Sequence, residues 1–106
     1  MSVAQRRQFP RYPFHAEVEI EWGSEVLRSP TTDISLGGMF VQTGSPLWVG
    51  ASFSAQVLLE EPLRVDCVVR RVVPGQGMGL AFAPLTDQAQ ARLEKLVTRL
   101  GGLAGQ

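Results

Sequence analysis

The stretch Phe14-His15-Ala16-Glu17-Val18-Glu19-Ile20-Glu21-Trp22 sets apolar residues at 14, 16, 18, 20 and 22 against glutamates at 17, 19 and 21. A period of two sorts these onto the two faces of a strand; a helix could not place them on one side. Gly23-Ser24 then supplies turn chemistry, and Val26 to Thr32 predicts a second strand, with Pro30 marking an edge or an irregular ladder. The Gly37-Gly38 pair breaks the chain ahead of Met39-Phe40-Val41, a third strand, and a loop rich in Gly, Ser and Pro follows over Thr43 to Gly50.

Ala51 to Leu59 alternates again, and Glu60-Glu61-Pro62 reads as a hairpin turn. Leu63 to Val73 is rich in β-branched residues, and Met78 to Phe82 follows the turn Pro74-Gly75-Gln76-Gly77. Six short strands at hairpin spacing, with no helices between them, predict a small antiparallel barrel or sandwich rather than a parallel sheet. Beyond Leu85 the pattern changes once. Thr86 or Asp87 caps a helix over about residues 86–100, where Ala89, Leu93, Leu96, Val97 and Leu100 recur at helical spacing. Gly101-Gly102 is expected to stop it, leaving a frayed tail over 101–106.

A chain of 106 residues with 44% hydrophobic and 19% charged residues reads as one domain with a real core. Its apolar runs are short and residues 1–9 hold no apolar leader, so neither a membrane span nor a secretory signal is expected, and a cytoplasmic location is. Cys67 has no second cysteine to pair with, and with the single His15 it makes no Cys/His zinc set, so no metal or cofactor is expected. Cys67 shares the apolar phase of Val65 and Val69, as a core residue would. His15 begins a strand with no nucleophile at a strand-to-helix elbow, and Glu60-Glu61 sit in a polar turn. Catalysis is therefore not expected. Trp22 and Trp48 read first as core or rim residues.

Ten basic and ten acidic residues cancel, but unevenly. Residues 1–11 carry Arg6, Arg7 and Arg11 with no acid, +3, which leaves seven bases against ten acids, −3, for residues 12–106. A basic arm over 1–11 thus precedes a mildly acidic body over 12–100, a balance that argues against nucleic acid as the partner. Pro10 fixes its own φ and drives Phe9 out of the helical region, so the arm is expected to be extended and flexible. Guanidinium forks match phosphate oxygens and the Hoogsteen edge of guanine in a bidentate geometry that lysine cannot copy. A solvated basic tail is the plainer alternative.

The second segment that resists a packing explanation is Asp33-Ile34-Ser35-Leu36-Gly37-Gly38. If it ends a strand, Asp33 and Ser35 share one face and Ile34 points to the other. A carboxylate accepts two hydrogen bonds from the Watson-Crick edge of guanine, a hydroxyl serves a phosphate or ribose, and glycines let backbone amides approach closely. The alternative is a local turn in which Asp33 and Ser35 cap their own backbone.

Together the two segments resemble the PilZ domain family, whose hallmark is an R-x-x-x-R arm followed by [D/N]-x-S-x-x-G. Arg7 and Arg11 match the arm; Asp33, Ser35 and Gly38 match the second motif without a gap. The resemblance runs from about Gln5 to Leu100 and implies a mainly β fold, a six-stranded antiparallel β-barrel with one C-terminal α-helix. It implies a bacterial receptor for cyclic diguanylate (cyclic di-GMP), with Arg7 and Arg11 clamping the ligand, Asp33 reading a guanine, and Ser35 and Gly38 shaping the floor. Arg6 stands where an arginine in relatives accompanies binding of a stacked pair of ligands. The pattern departs at Met78, where some relatives carry an aromatic residue for stacking. Ordering of the arm by the ligand is expected to alter a surface read by a downstream protein, and the helix permits either a monomer or a homodimer. The competing reading is a PilZ-fold protein-protein interaction module that does not bind the nucleotide.

Overall fold

The computed structural model describes residues 9–104. Six strands are present: β1 (Tyr12–Trp22), β2 (Glu25–Ile34), β3 (Gly38–Gln42), β4 (Ser52–Val57), β5 (Leu63–Val73) and β6 (Gly77–Phe82). They close into an antiparallel barrel in the order β1-β2-β3-β6-β5-β4, followed by one helix, α1 (Asp87–Ala104). The barrel, not a sandwich, is the observed solution.

The alternation in β1 has the consequence its pattern dictates. Val18 and Ile20 are buried while Glu17 and Glu21 are exposed, and β1 pairs with β2 on one side and β4 on the other, which closes the barrel through Val18 opposite Val57. Burying each such side chain contributes about 1.5 to 3 kcal/mol. The outward glutamates are drawn into ion pairs, Glu19 with Arg28 and Glu21 with Arg64 at 3.4 Å.

Two boundaries differ from expectation for physical reasons. β2 runs on to Ile34, so Asp33 is a strand residue. Its pairing with β3 begins only at Thr31, which leaves Pro30, opposite Glu17, where β2 has a neighbour on one side alone. Proline is tolerated there because no ladder bond is lost. The helix does not stop at Gly101-Gly102 but continues to Ala104, so residues 101–104 are helical rather than frayed. A Cβ on Gly101 would lie 3.1 Å from the Tyr12 hydroxyl and 3.3 Å from its ring carbon. Glycine here allows close approach of α1 to β1, offsetting its low helix propensity of about 1 kcal/mol relative to alanine. At the other end Thr86 is the cap, its hydroxyl accepting from the Ala89 amide at 3.1 Å. Leu93 and Val97 pack the helix onto the core, and Arg92 donates to the Glu61 and Pro62 carbonyls, tying α1 to the β4–β5 turn.

Cys67 faces the interior, as its phase in β5 requires. Burial, and secondarily the charge of Asp66, push its thiol from 9.0 up to about 12. A group whose folded pKa is raised favours folding fully below its unfolded value, and that contribution is lost as pH climbs from about 9 toward 12. We expect no reaction of native protein with a thiol-specific disulfide reagent at pH 8, complete reaction in urea, and falling stability above about pH 9. Rapid labelling of the native protein would contradict the burial.

Candidate ligand-binding site

The chain reverses between β2 and β3 through Ser35-Leu36-Gly37, and the reversal is built by one hydroxyl. Ser35 Oγ accepts from the amides of Gly37 at 3.0 Å and Gly38 at 3.2 Å. It donates to the Gly38 carbonyl at 3.3 Å, an oxygen that the Ser35 amide also reaches at 2.8 Å. Ser35 is only 3% exposed. Asp33 and Ser35 therefore do not share an outward face: the serine turns inward, and the local-turn alternative describes it. Ile34 is buried, as its phase requires.

Gly38 cannot be another residue in this geometry. A Cβ there would sit 1.9 Å from the Leu80 carbonyl oxygen on β6. Gly37 lies under the ring of Phe9, whose nearest atom would be 2.8 Å from a Cβ at that position. The residues just before β1 are thus laid across the turn.

Arg11 completes the convergence. β1 and β2 pair with Tyr12 opposite Ile34 and Pro13 opposite Asp33, a register that brings the guanidinium Nε to 3.6 Å from Asp33 Oδ1. That distance allows an ion pair but not a hydrogen bond. Both side chains are partly exposed, at 43% and 33%. Asp33 Oδ1 itself is shielded from solvent and has no hydrogen-bond partner among the described residues. A carboxylate oxygen in that state is ready to accept a donor. Arg6 and Arg7 lie outside the described residues.

A groove of about 690 Å³ opens beside this contact. The turn supplies Ser35, Gly37 and Gly38; Phe9 and Arg11 border one end, and Gly79, Leu80 and Ala81 of β6 line it. Its remaining lining residues, Arg70 and Arg71 of β5, were not expected from the sequence. Three guanidiniums and no carboxylate line the groove, so its field favours an anion. The one legible signal was two consecutive charged residues interrupting the alternation of β5. Met78 is 2% exposed and belongs to the core, so it offers no stacking face.

Other candidates lie elsewhere. Trp22 and Trp48 meet edge to face with centroids 5.1 Å apart, at the far end of β1 from Arg11, about 33 Å along an 11-residue strand. A second cavity of about 390 Å³, between the β4–β5 turn and the start of α1, is lined by both charge signs, Glu61 and Asp66 with Arg64 and Arg92. Among the described residues no cluster of His, Cys, Asp and Glu could hold a metal ion, and no described helix is long and apolar enough to cross a membrane.

The family model described as PilZ domain matches residues 5–99. The chain belongs to the PilZ domain family. Among solved structures, the PilZ fold here is similar to the Bacillus subtilis Inhibitor of motility, MotI/DgrA, at 27% identity and a TM-score of 0.75, covering 90% of this chain and 50% of that one. It is also similar to the PilZ domain with c-di-GMP of YcgR from Escherichia coli, at 20% identity and a TM-score of 0.75, covering 94% and 95%. The K. pneumonia MrkH-c-di-GMP complex matches at 22% identity and a TM-score of 0.78, covering 95% and 55%. This chain thus spans about half the length of the MotI/DgrA and MrkH chains. No curated protein matches its sequence significantly.

For the PilZ turn, Gly38→Ala is expected to lower stability by about 3 kcal/mol, the upper range for overpacking, because the obstructing atom is backbone. Urea denaturation measures it; a loss below 0.5 kcal/mol (about the scatter of neutral surface changes) would show that β3 and β6 can separate freely there.

Proposed function

We propose that this PilZ domain is a bacterial, cytoplasmic receptor that binds cyclic di-GMP in the groove beside the 35–38 turn. The observation that carries the reading is the Arg11–Asp33 contact: Arg11 borders an arginine-lined groove, and it is paired with a shielded carboxylate oxygen that has no hydrogen-bond partner among the described residues. The chemistry suits a guanine dinucleotide. Asp33 accepts from the guanine N–H edge, Arg11 answers phosphate or the Hoogsteen edge, and the turn held by Ser35 sets the floor.

Arg7 joins Arg11 on the ligand, and Arg6 extends the contact toward a second, stacked molecule. Binding draws the segment bearing Arg6 and Arg7 over the groove, and the surface so formed is what a downstream protein reads. No chemical step is required. That other PilZ structures are c-di-GMP complexes supports the ligand class.

Calorimetric titration with cyclic di-GMP tests this. Loss of one charge-assisted contact of about 1.5 to 3 kcal/mol predicts a ten- to hundredfold weaker affinity for Arg7→Ala and for Arg11→Ala. A stoichiometry of two ligands per chain would bear on Arg6. Unchanged affinity in both variants would remove the assigned roles, and absence of heat with the unmodified protein would favour a module that docks on its partner without ligand.

A further inference from the structure

Strand β5 alternates strictly from Leu63 to Val69, with the odd-numbered residues buried. Continued regularly, that alternation would send Arg70 outward and Arg71 into the barrel. It does not continue. Val69 pairs with Leu80 and Arg71 pairs with Gly79, so Arg70 and Arg71 together stand against a single advance along β6. This is a β-bulge, the device by which a strand re-aims a side chain. Its result is that two successive arginines are both exposed and both line the groove.

Arg71 is held in place. Its guanidinium carbon lies 5.8 Å from the centroid of the Phe40 ring, and its stem crosses Gly79 so closely that a Cβ there would be 3.2 Å from Cγ. Neither arginine has a carboxylate partner among the described residues: the ion pairs of Glu19, Glu21 and Asp33 go to Arg28, Arg64 and Arg11. Two adjacent, uncompensated guanidiniums in a groove repel one another, and an anion between them reverses that sign.

We infer that Arg70 and Arg71 form a second anion subsite, which takes the second phosphodiester of a guanine dinucleotide whose other end is held at Arg11 and Asp33. The inference rests on reading the groove as a cyclic di-GMP site. β3 and β6 separate β2, which carries Asp33, from β5. Measured along the sheet, Asp33 on β2 is three strand spacings from β5, on the order of 14 Å as an upper bound in a closed barrel, so the Arg11–Asp33 pair and the β5 arginines approach the groove from different strands. A ligand with two phosphodiesters engages both walls at once.

The test is calorimetry with cyclic di-GMP on the unmodified protein, Arg11→Ala, Arg70→Ala, Arg71→Ala, Arg71→Lys and, as a control outside the groove, Arg28→Ala. Arg70→Ala and Arg71→Ala are each expected to weaken binding about tenfold or more. Arg71→Lys should also weaken it, because charge remains but the fork is lost; Arg28→Ala should not. Arg70 is exposed and unpaired among the described residues, so Arg70→Ala should leave the thermal midpoint unchanged and carries the test even if Arg71→Ala unfolds. Affinities of Arg70→Ala and Arg71→Lys within twofold of the unmodified protein, with Arg11→Ala weakened, would overturn the second subsite and leave the first. No binding by the unmodified protein would overturn both.

Discussion

The contact between Arg11 and Asp33 joins two parts of the chain that are far apart in sequence, and it exists only because of the β1–β2 register. Tyr12 opposite Ile34 and Pro13 opposite Asp33 leave Arg11 no other neighbourhood. A slip of β1 by one residue would exchange its inward and outward faces, burying Glu17 and Glu19. The apolar demand of the core therefore fixes the placement of the charged pair. As a partly exposed ion pair it adds little stability by itself; its consequence is the orientation of a guanidinium and a carboxylate at the rim of a groove.

The groove divides its labour between backbone and side chains. Ser35, Gly37 and Gly38 work as structure: the hydroxyl is engaged within its own turn, and the absence of a Cβ at Gly38 lets β3 lie against the Leu80 carbonyl. The charge of the groove comes from longer side chains, Arg11 at one end and Arg70 and Arg71 of β5, with Asp33 paired to Arg11. The β5 bulge and the shared β1–β2 register are unrelated features of the barrel, yet both turn charge toward the same space.

Most of the barrel was legible because period-two burial is a local property: Leu63–Val73 and the alternation of β1 depend only on neighbours in sequence. What failed to show depends on residues remote in sequence. Gly101 reads as a helix stop until Tyr12 is seen beneath it. Ser35 reads as an outward hydroxyl until its turn closes, and nothing in the sequence places Arg70 and Arg71 on one groove until the bulge appears. Met78 stands in β6 with its side chain in the core. Asp33, Ser35 and Gly38 were singled out by the resemblance to the PilZ pattern; the contacts each makes in the fold are set by tertiary neighbours that the pattern does not encode.

Amide chemical shifts followed by NMR during titration with cyclic di-GMP test most directly whether the groove is the binding site. Large changes should gather at Phe9, Arg11, Gly37, Gly38, Arg70, Arg71 and Gly79, with Thr86 to Arg92 beside the other cavity nearly still. Changes centred on the β4–β5 turn and the start of α1, or none at saturating ligand, would contradict it.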